Sequence, residues 1–276
     1  MATEIAPLTL GEIRTISTAD GGTALTTSET YTTFLQGTKW AAWYSRNHSA
    51  SSVIIKVAKC PWLTIFKTAD ALATTVTDSS AAMQDADTST LLTLDDFDVA
   101  GNNDFIYVGS YTPFAGVNVD VGNVNGTNSV LTVKYRKNDS SWADISDSDG
   151  TISSGKTLAQ DGSVTWTIPT DWAATEKLAD IESIGAAINV PFKNQVGMYW
   201  SRWEVSVQLD SAVTVLRMIA IPRSTAFVEL VTTLGMADSL GQGTGGWSGI
   251  AHKTSAGTAN LIINVASHQN TPAFPA

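Results

Sequence analysis

A chain of 276 residues has room for one large domain or two modest ones, and it is long enough to bury a core. Only 15% of it is charged, well below the roughly 25% of an average soluble protein, and Thr, Ser, Ala, Asn and Gly fill the surface instead; this suits pleated sheet and is poor material for long surface helices. With 16 Lys and Arg scattered among 26 Asp and Glu, the net charge of −10 argues against a nucleic-acid partner, because phosphate binding needs clustered cations.

Residues 1–38 read as an N-terminal arm. Ile5, Leu8, Leu10, Ile13 and Ile16 are apolar, but Gly21-Gly22 and a Thr/Ser-rich stretch come next without sustained periodicity, so order is expected to come from a neighbour. Thr30 to Leu35 behind Ser28 predicts a short helix. Residues 39–90 form a β-rich part: Trp40 to Tyr44, Val53 to Ala58 and Trp62 to Phe66 are aromatic and β-branched runs, and a polar stretch extends from Lys67 to Ser89.

Residues 91–225 carry the clearest signal. Leu91 to Val99, Phe105 to Val108, Val117-Val119-Val121, Leu131-Val133-Tyr135, Val164-Trp166-Ile168, Met198 to Leu209 and Val213 to Ile221 are strand candidates separated by Gly, Asn, Asp and Pro turns. A period of two in strand after strand predicts sheets with one wet face and one buried face, and so an antiparallel β-sandwich or jelly roll. Leu178, Ile181, Ile184 and Ile188, spaced by three and four, predict a helical turn or two across Thr175 to Ala187. Residues 226–276 read as a C-terminal extension packing on the sandwich or on a neighbour, with a glycine cluster from Gly241 to Gly249, a strand at Leu261 to Val265, and a Pro272-Ala273-Phe274-Pro275 tail that cannot continue a sheet.

Few motifs carry chemistry. Gly150 to Thr157 satisfies the P-loop pattern, yet no buried strand precedes it, Gln160-Asp161-Gly162 breaks the chain where a helix would have to run, and Asp144, Asp147 and Asp149 stand where phosphate would approach; a surface loop is expected. Setting Gly150 at the sixth position of a calcium loop puts Ile145 first and Lys156 twelfth, where carboxylates are required, so a solvated acidic turn is favoured. His48, His252 and His268 share no ligand spacing and read as surface or loop residues, and nothing separates Asp95, Asp96 or Glu204 from structural acids. Cys60, the single cysteine, leaves no intrachain disulfide and no cysteine-based zinc cluster, and reads as a small buried hydrophobe. The sequons at Asn47, Asn125 and Asn138 carry no weight, because Met1 to Ile5 shows neither a basic start nor an apolar run behind it and no secretory signal is expected. No apolar run nears the ~20 residues of a bilayer span, so a soluble protein without membrane contact is expected.

The nine tryptophans divide by phase. Trp166 is in phase with Val164 and Ile168 and faces the core, while Trp200 and Trp203, three apart, face opposite sides of one strand. Trp142 and Trp172, beside turns, are the two candidates for exposure and for stacking on a sugar.

In order along the chain come Asp104-Phe105-Ile106-Tyr107-Val108-Gly109-Ser110, Pro113-Phe114-Ala115-Gly116-Val117, Leu131-Thr132-Val133-Lys134-Tyr135, Ser141-Trp142, Asp149-Gly150-Thr151, and Gly162-Ser163-Val164-Thr165-Trp166-Thr167-Ile168-Pro169-Thr170-Asp171-Trp172. This series resembles the β-sandwich domains of tailed-bacteriophage virion proteins, whose pattern reads iyvG, pF-gi, l-v-Y, sW, DGT, G-v-W-ip-dW, and it covers about half the chain. The resemblance implies a virion structural protein located in the particle, a capsid decoration or other accessory protein that touches the major capsid protein or other virion proteins. A closed homo-oligomer, a trimer, is the natural form for that role. No catalytic, cofactor-binding or metal-binding residue is assigned, and the chain is not read as an enzyme. The alternative is a glycan-binding module of a receptor-binding or tail appendage, recognising a host surface glycan.

Overall fold

The computed structural model describes residues 13–16, 22–34, 38, 40–49, 53–73, 76–85, 87, 89–175, 197–232, 237–239 and 247–266. The strands in chain order are β1 (Ile13–Thr15), β2 (Thr23–Ala24), β3 (Thr30–Thr33), β4 (Trp40–Arg46), β5 (Val53–Pro61), β6 (Thr64–Thr68) and β7 (Thr77–Asp78). Then come β8 (Leu92–Thr93), β9 (Phe105–Ser110), β10 (Gly116–Val121), β11 (Leu131–Arg136), β12 (Trp142–Asp144), β13 (Ser148–Asp149) and β14 (Gly162–Thr165). The last are β15 (Ala174–Thr175), β16 (Met198–Val205), β17 (Thr214–Ile221), β18 (Val228–Thr232), β19 (Ala237–Ser239), β20 (Trp247–Ala256) and β21 (Asn260–Ala266). The protein is mainly β, as its composition predicts, and among the described residues no helix is long and apolar enough to cross a membrane.

Two compact units divide the chain, one made of residues 61–224 and the other of residues 1–60 with 225–276. In the first unit a sheet ordered β12-β11-β16-β9-β6-β7, with β15 also on β16, faces a sheet ordered β13-β14-β10-β17-β8. The ladders that join β10 to β14 and β17, β16 to β11 and β9, and β6 to β9 are antiparallel, so the unit is a β-sandwich. One apolar core joins the sheets: Ile65, Ile106, Val108, Leu131, Val133, Trp203 and Val205 from the longer sheet meet Leu92, Val117, Val119, Val164, Val215 and Met218 from the other. The period of two therefore reports the core face correctly on β10 and β11.

The central strands differ from the expected pattern of one wet and one buried face. Every residue of β9 is buried, and the outer side of β9 and β16 carries its own cluster of Phe66, Phe105, Tyr107, Met198 and Trp200 under Ala71 and Leu72. This explains why Phe105 to Val108 is apolar without alternation. Trp200 and Trp203 do lie on opposite faces, each buried in its own cluster. Trp200 fits because Gly109 pairs directly with it in the ladder; a Cβ on Gly109 would stand 2.6 Å from the indole. Phe66 stacks on the same indole at 5.8 Å between centroids.

The sandwich starts at Pro61 and not at Leu91. The stretch after β6 folds back through a 3-10 turn at Ala82–Gln84, which puts Met83 into the core while the Gln84 side chain accepts from Leu63 N and donates to the Leu63 carbonyl and, at 2.8 Å, to that of Ser80. Of the run Leu91 to Val99, only Leu92–Thr93 is strand; beyond it Leu94 and Phe97 turn inward and leave Asp95 and Asp96 exposed.

In the second unit β1 and β2 pair with β21, which pairs with β4, and β4 with β19; the other sheet is ordered β18-β5-β20-β3. Two expectations are corrected by these pairings. The described part of the supposed arm is strand on the chain's own C-terminal segments, with Ile13↔Ala266, Thr23↔Leu261 and Thr32↔Ile250 in register. Thr30–Thr33, expected as helix, is β3, because β-branched and aromatic side chains find a ladder partner in β20 that no local pattern could announce. The residues after Thr225 likewise supply β18 to β21 to sheets that also contain β1 to β5. The predicted helical turns beyond Thr175, the glycines from Gly241 to Gly246 and the Pro272–Pro275 tail lie outside the described residues.

Substituting Gly109→Ala forces a methyl into the Trp200 ring and is expected to lower the unfolding free energy by about 1–3 kcal/mol, read as a lower urea midpoint with an unchanged slope.

Candidate functional site

The P-loop-like stretch is a hairpin closed on its own carboxylate. Asp149 ends β13, and its Oδ1 accepts from Thr151 N at 2.8 Å and Thr151 Oγ1 at 2.6 Å while Oδ2 accepts from Thr157 Oγ1 at 2.6 Å. Thr151 and Thr157 are fully buried. At the tip Ser153 and Lys156 exchange both backbone hydrogen bonds at 3.1 Å, with Ser154 and Gly155 at positive φ of 53° and 78°, which makes a tight two-residue turn. The Asp149 carboxylate sits inside the loop that a phosphate would need, and the chain beyond the hairpin enters β14, where a P-loop would need a helix.

Asn125 ties this hairpin to its neighbours. Its Nδ2 donates to the carbonyls of Thr157 at 3.0 Å and Thr127 at 2.9 Å, and its Oδ1 accepts from Thr127 N at 2.9 Å and Asp210 N at 3.2 Å. Ser129 continues the lacing: its carbonyl accepts from Thr157 N, and its hydroxyl donates to Val207 O at 2.7 Å. With its amide buried and used on both sides, Asn125 presents nothing to a glycosylating enzyme; Asn47 and Asn138 are exposed.

Two further acids of this region are engaged by backbone amides. Asp144 Oδ1 accepts from Ser146 N at 2.6 Å and Asp147 Oδ1 from Val133 N at 2.9 Å, burial pushing the Asp147 carboxyl up. Among the described residues no group of three or more His, Cys, Asp and Glu is placed to hold a metal ion. Asp95 is exposed; Asp96 pairs with Lys67, whose hydrogen bond holds its carboxyl below the usual range. Glu204 lies buried on the outer face of β16 between Lys134 Nζ at 2.8 Å and Arg202 Nη2 at 2.6 Å.

Arg202 belongs to a column of alternating rings and cations. Its guanidinium stands 4.3 Å from the Phe105 centroid and 4.8 Å from that of Trp142, and Arg136 lies 5.7 Å from the Trp142 centroid. Trp142 is half-buried, and its indole N–H, shielded from water, has no hydrogen-bond partner among the described residues. Trp172, the other tryptophan expected to be exposed, is buried at 7% exposure. Its ring meets Phe114 at 5.2 Å, Tyr199 at 6.0 Å, Tyr135 at 6.2 Å and Trp166 at 6.4 Å, and its N–H donates to Trp200 O at 3.0 Å. A position beside a turn suggests exposure only while its partners are unknown; here four aromatic side chains close over it, three of them distant in sequence.

His252 also corrects its sequence reading. It is fully buried on β20, with Nε2 2.9 Å from Thr32 Oγ1 and no partner for Nδ1 among the described residues, and desolvation lowers its pKa to about 4. His48 is half-buried with Nε2 3.1 Å from Ser45 Oγ, and His268 lies outside the described residues. Cys60 is buried, and desolvation, then the nearby Glu29 charge, push its thiol well above the ordinary value.

These arrangements stiffen loops and leave aliphatic side chains in water. Val124, Val130, Ile152 and Val207 are exposed at 55%, 54%, 42% and 45%, all on the segments laced through Asn125, Ser129 and Asp149. Leu91 and Tyr111 of the same unit are exposed as well, so these six are its candidates for contact. Sequence reasoning missed both Asn125 and the Lys134–Glu204–Arg202 network, which becomes visible only once Lys134 is known to stand opposite Arg202 in the ladder.

Asp149→Ala strands one buried amide and two buried hydroxyls and is expected to cost about 2–4 kcal/mol of stability, whereas Lys156→Ala stays within about 0.5 kcal/mol; denaturant unfolding of both variants checks the pair. For His252 the folded pKa lies below the unfolded 6.5, so its neutral form supports the fold above pH 6.5 and that support is lost as pH falls toward about 4. The difference is worth on the order of 3 kcal/mol, and His252→Gln should flatten the slope of stability against pH in that window. Compared with protein-family models and with curated proteins, the chain finds no match in either.

Proposed function

We propose that this chain is a structural protein of a tailed-bacteriophage virion, a capsid decoration or similar accessory protein that works through contacts with the major capsid protein and with its own copies. The observation that carries the reading is where the phage-like series falls. Its pieces occupy β9, β10, β11, β12, the Asp149 hairpin and the run from β14 to Trp172, all in one sandwich. Its most distinctive residues meet as a set: Phe114, Tyr135, Trp166 and Trp172 form one aromatic cluster, Gly109 lies under Trp200, and Asp149 holds Thr151.

Such a protein acts by burying area, at ~25 cal/mol per Å² of apolar surface, and repetition over a shell multiplies each modest contact. Loops that are already rigid lose little entropy on docking, and the exposed aliphatics Val124, Val130, Ile152 and Val207 supply apolar area. The excess of acids over bases opposes a nucleic-acid role.

The second reading, a glycan-binding module, keeps Trp142 as its platform and loses Trp172 to the core. Mass spectrometry of purified virions is expected to find the chain in many copies per particle, and its absence refutes the proposal; a glycan array that binds the native chain but not Trp142→Ala would move the reading to the appendage module.

A further inference from the structure

The charge of this protein is unevenly divided. Residues 61–224 hold 20 Asp and Glu against 10 Lys and Arg, the entire net −10, whereas residues 1–60 with 225–276 hold 6 against 6. Two copies approaching through the first unit repel one another, and two approaching through the second do not.

The sheet edges divide the same way. The sandwich ends its sheets on strands of two or three residues, β7, β8, β12 and β13, which is one way proteins keep edges from pairing with other chains. In the neutral unit β1 and β19 are three residues and β3 four, but β18 runs five, Val228–Thr232, the longest edge among the described residues. It pairs with β5 on one side. Its sequence, Val-Glu-Leu-Val-Thr, has no Pro and no Lys, and its one charge, Glu229, is met by Lys56 at 2.8 Å. Val228 is 55% exposed.

We infer that β18 is a self-association edge: a second copy's β18 adds to it antiparallel about a two-fold axis, continuing the four-stranded sheet into the partner and covering both Val228 side chains. A strand that meets its own copy antiparallel satisfies the two-fold rule by itself, main-chain hydrogen bonds supply the affinity, and the balanced charge of the unit removes the repulsion that the sandwich would impose. The result is a dimer in place of the three-fold ring expected from the sequence.

The inference stands on the edge and not on the virion reading, so a dimer absent from particles, or a monomer present in them, separates the two. Sedimentation velocity on the full chain tests it. The native protein should sediment as a dimer, Val228→Lys as a monomer with unchanged circular dichroism, and Val124→Lys, on the sandwich, as a dimer. Should Val228→Lys fail to fold, Val228→Thr, which keeps strand propensity, should still raise the dimer dissociation constant about tenfold. A native monomer at every concentration, a dimer indifferent to Val228, or one broken by Val124→Lys overturns the inference.

Discussion

The sandwich depends on Trp172 being enclosed. Its indole N–H is given to the carbonyl of Trp200 on a central strand, and its ring is held by Phe114, Tyr135, Trp166 and Tyr199. Trp166 in turn donates to the Phe114 carbonyl at 2.8 Å, and Tyr135 donates to the Asp171 carboxylate at 2.9 Å. Both sheets are thereby fastened at one place by large side chains whose polar atoms find partners, the condition under which aromatic groups can be buried without penalty.

The polar hubs obey the same constraint. Asp149, Asn125, Ser129 and Glu204 sit in or beside the interior with hydrogen bonds or ion pairs from the chain itself, so their capacity is spent on holding loops and strands. The side chains turned outward beside these hubs are mixed: the aliphatic Val124, Val130, Ile152 and Val207 stand among exposed Asn123, Asn128, Ser154, Gln160, Ser206 and Gln208.

How far the sequence discloses this depends on the range of the interaction. Alternation on β10 and β11 is local, and it announces both the strands and their buried faces. The opposite-facing pair Trp200 and Trp203 comes from the same periodicity. Trp172 and His252 escape a local reading because their burial is made by residues far along the chain, and β3 because its partner β20 lies beyond the whole sandwich in sequence. The flanks of Gly150 to Thr157 argue against a P-loop in the sequence, whereas the carboxylate of Asp149 sitting inside the loop is a matter of three-dimensional geometry.

A reconstruction of the purified particle at side-chain resolution tests the central claim most directly. The account predicts the sandwich repeated on the particle, docked on neighbouring proteins through side chains already exposed in the free molecule, with the Trp172 cluster and the Asp149 hairpin unchanged. A particle without this chain, or one in which those closed hubs open to engage a ligand, contradicts it.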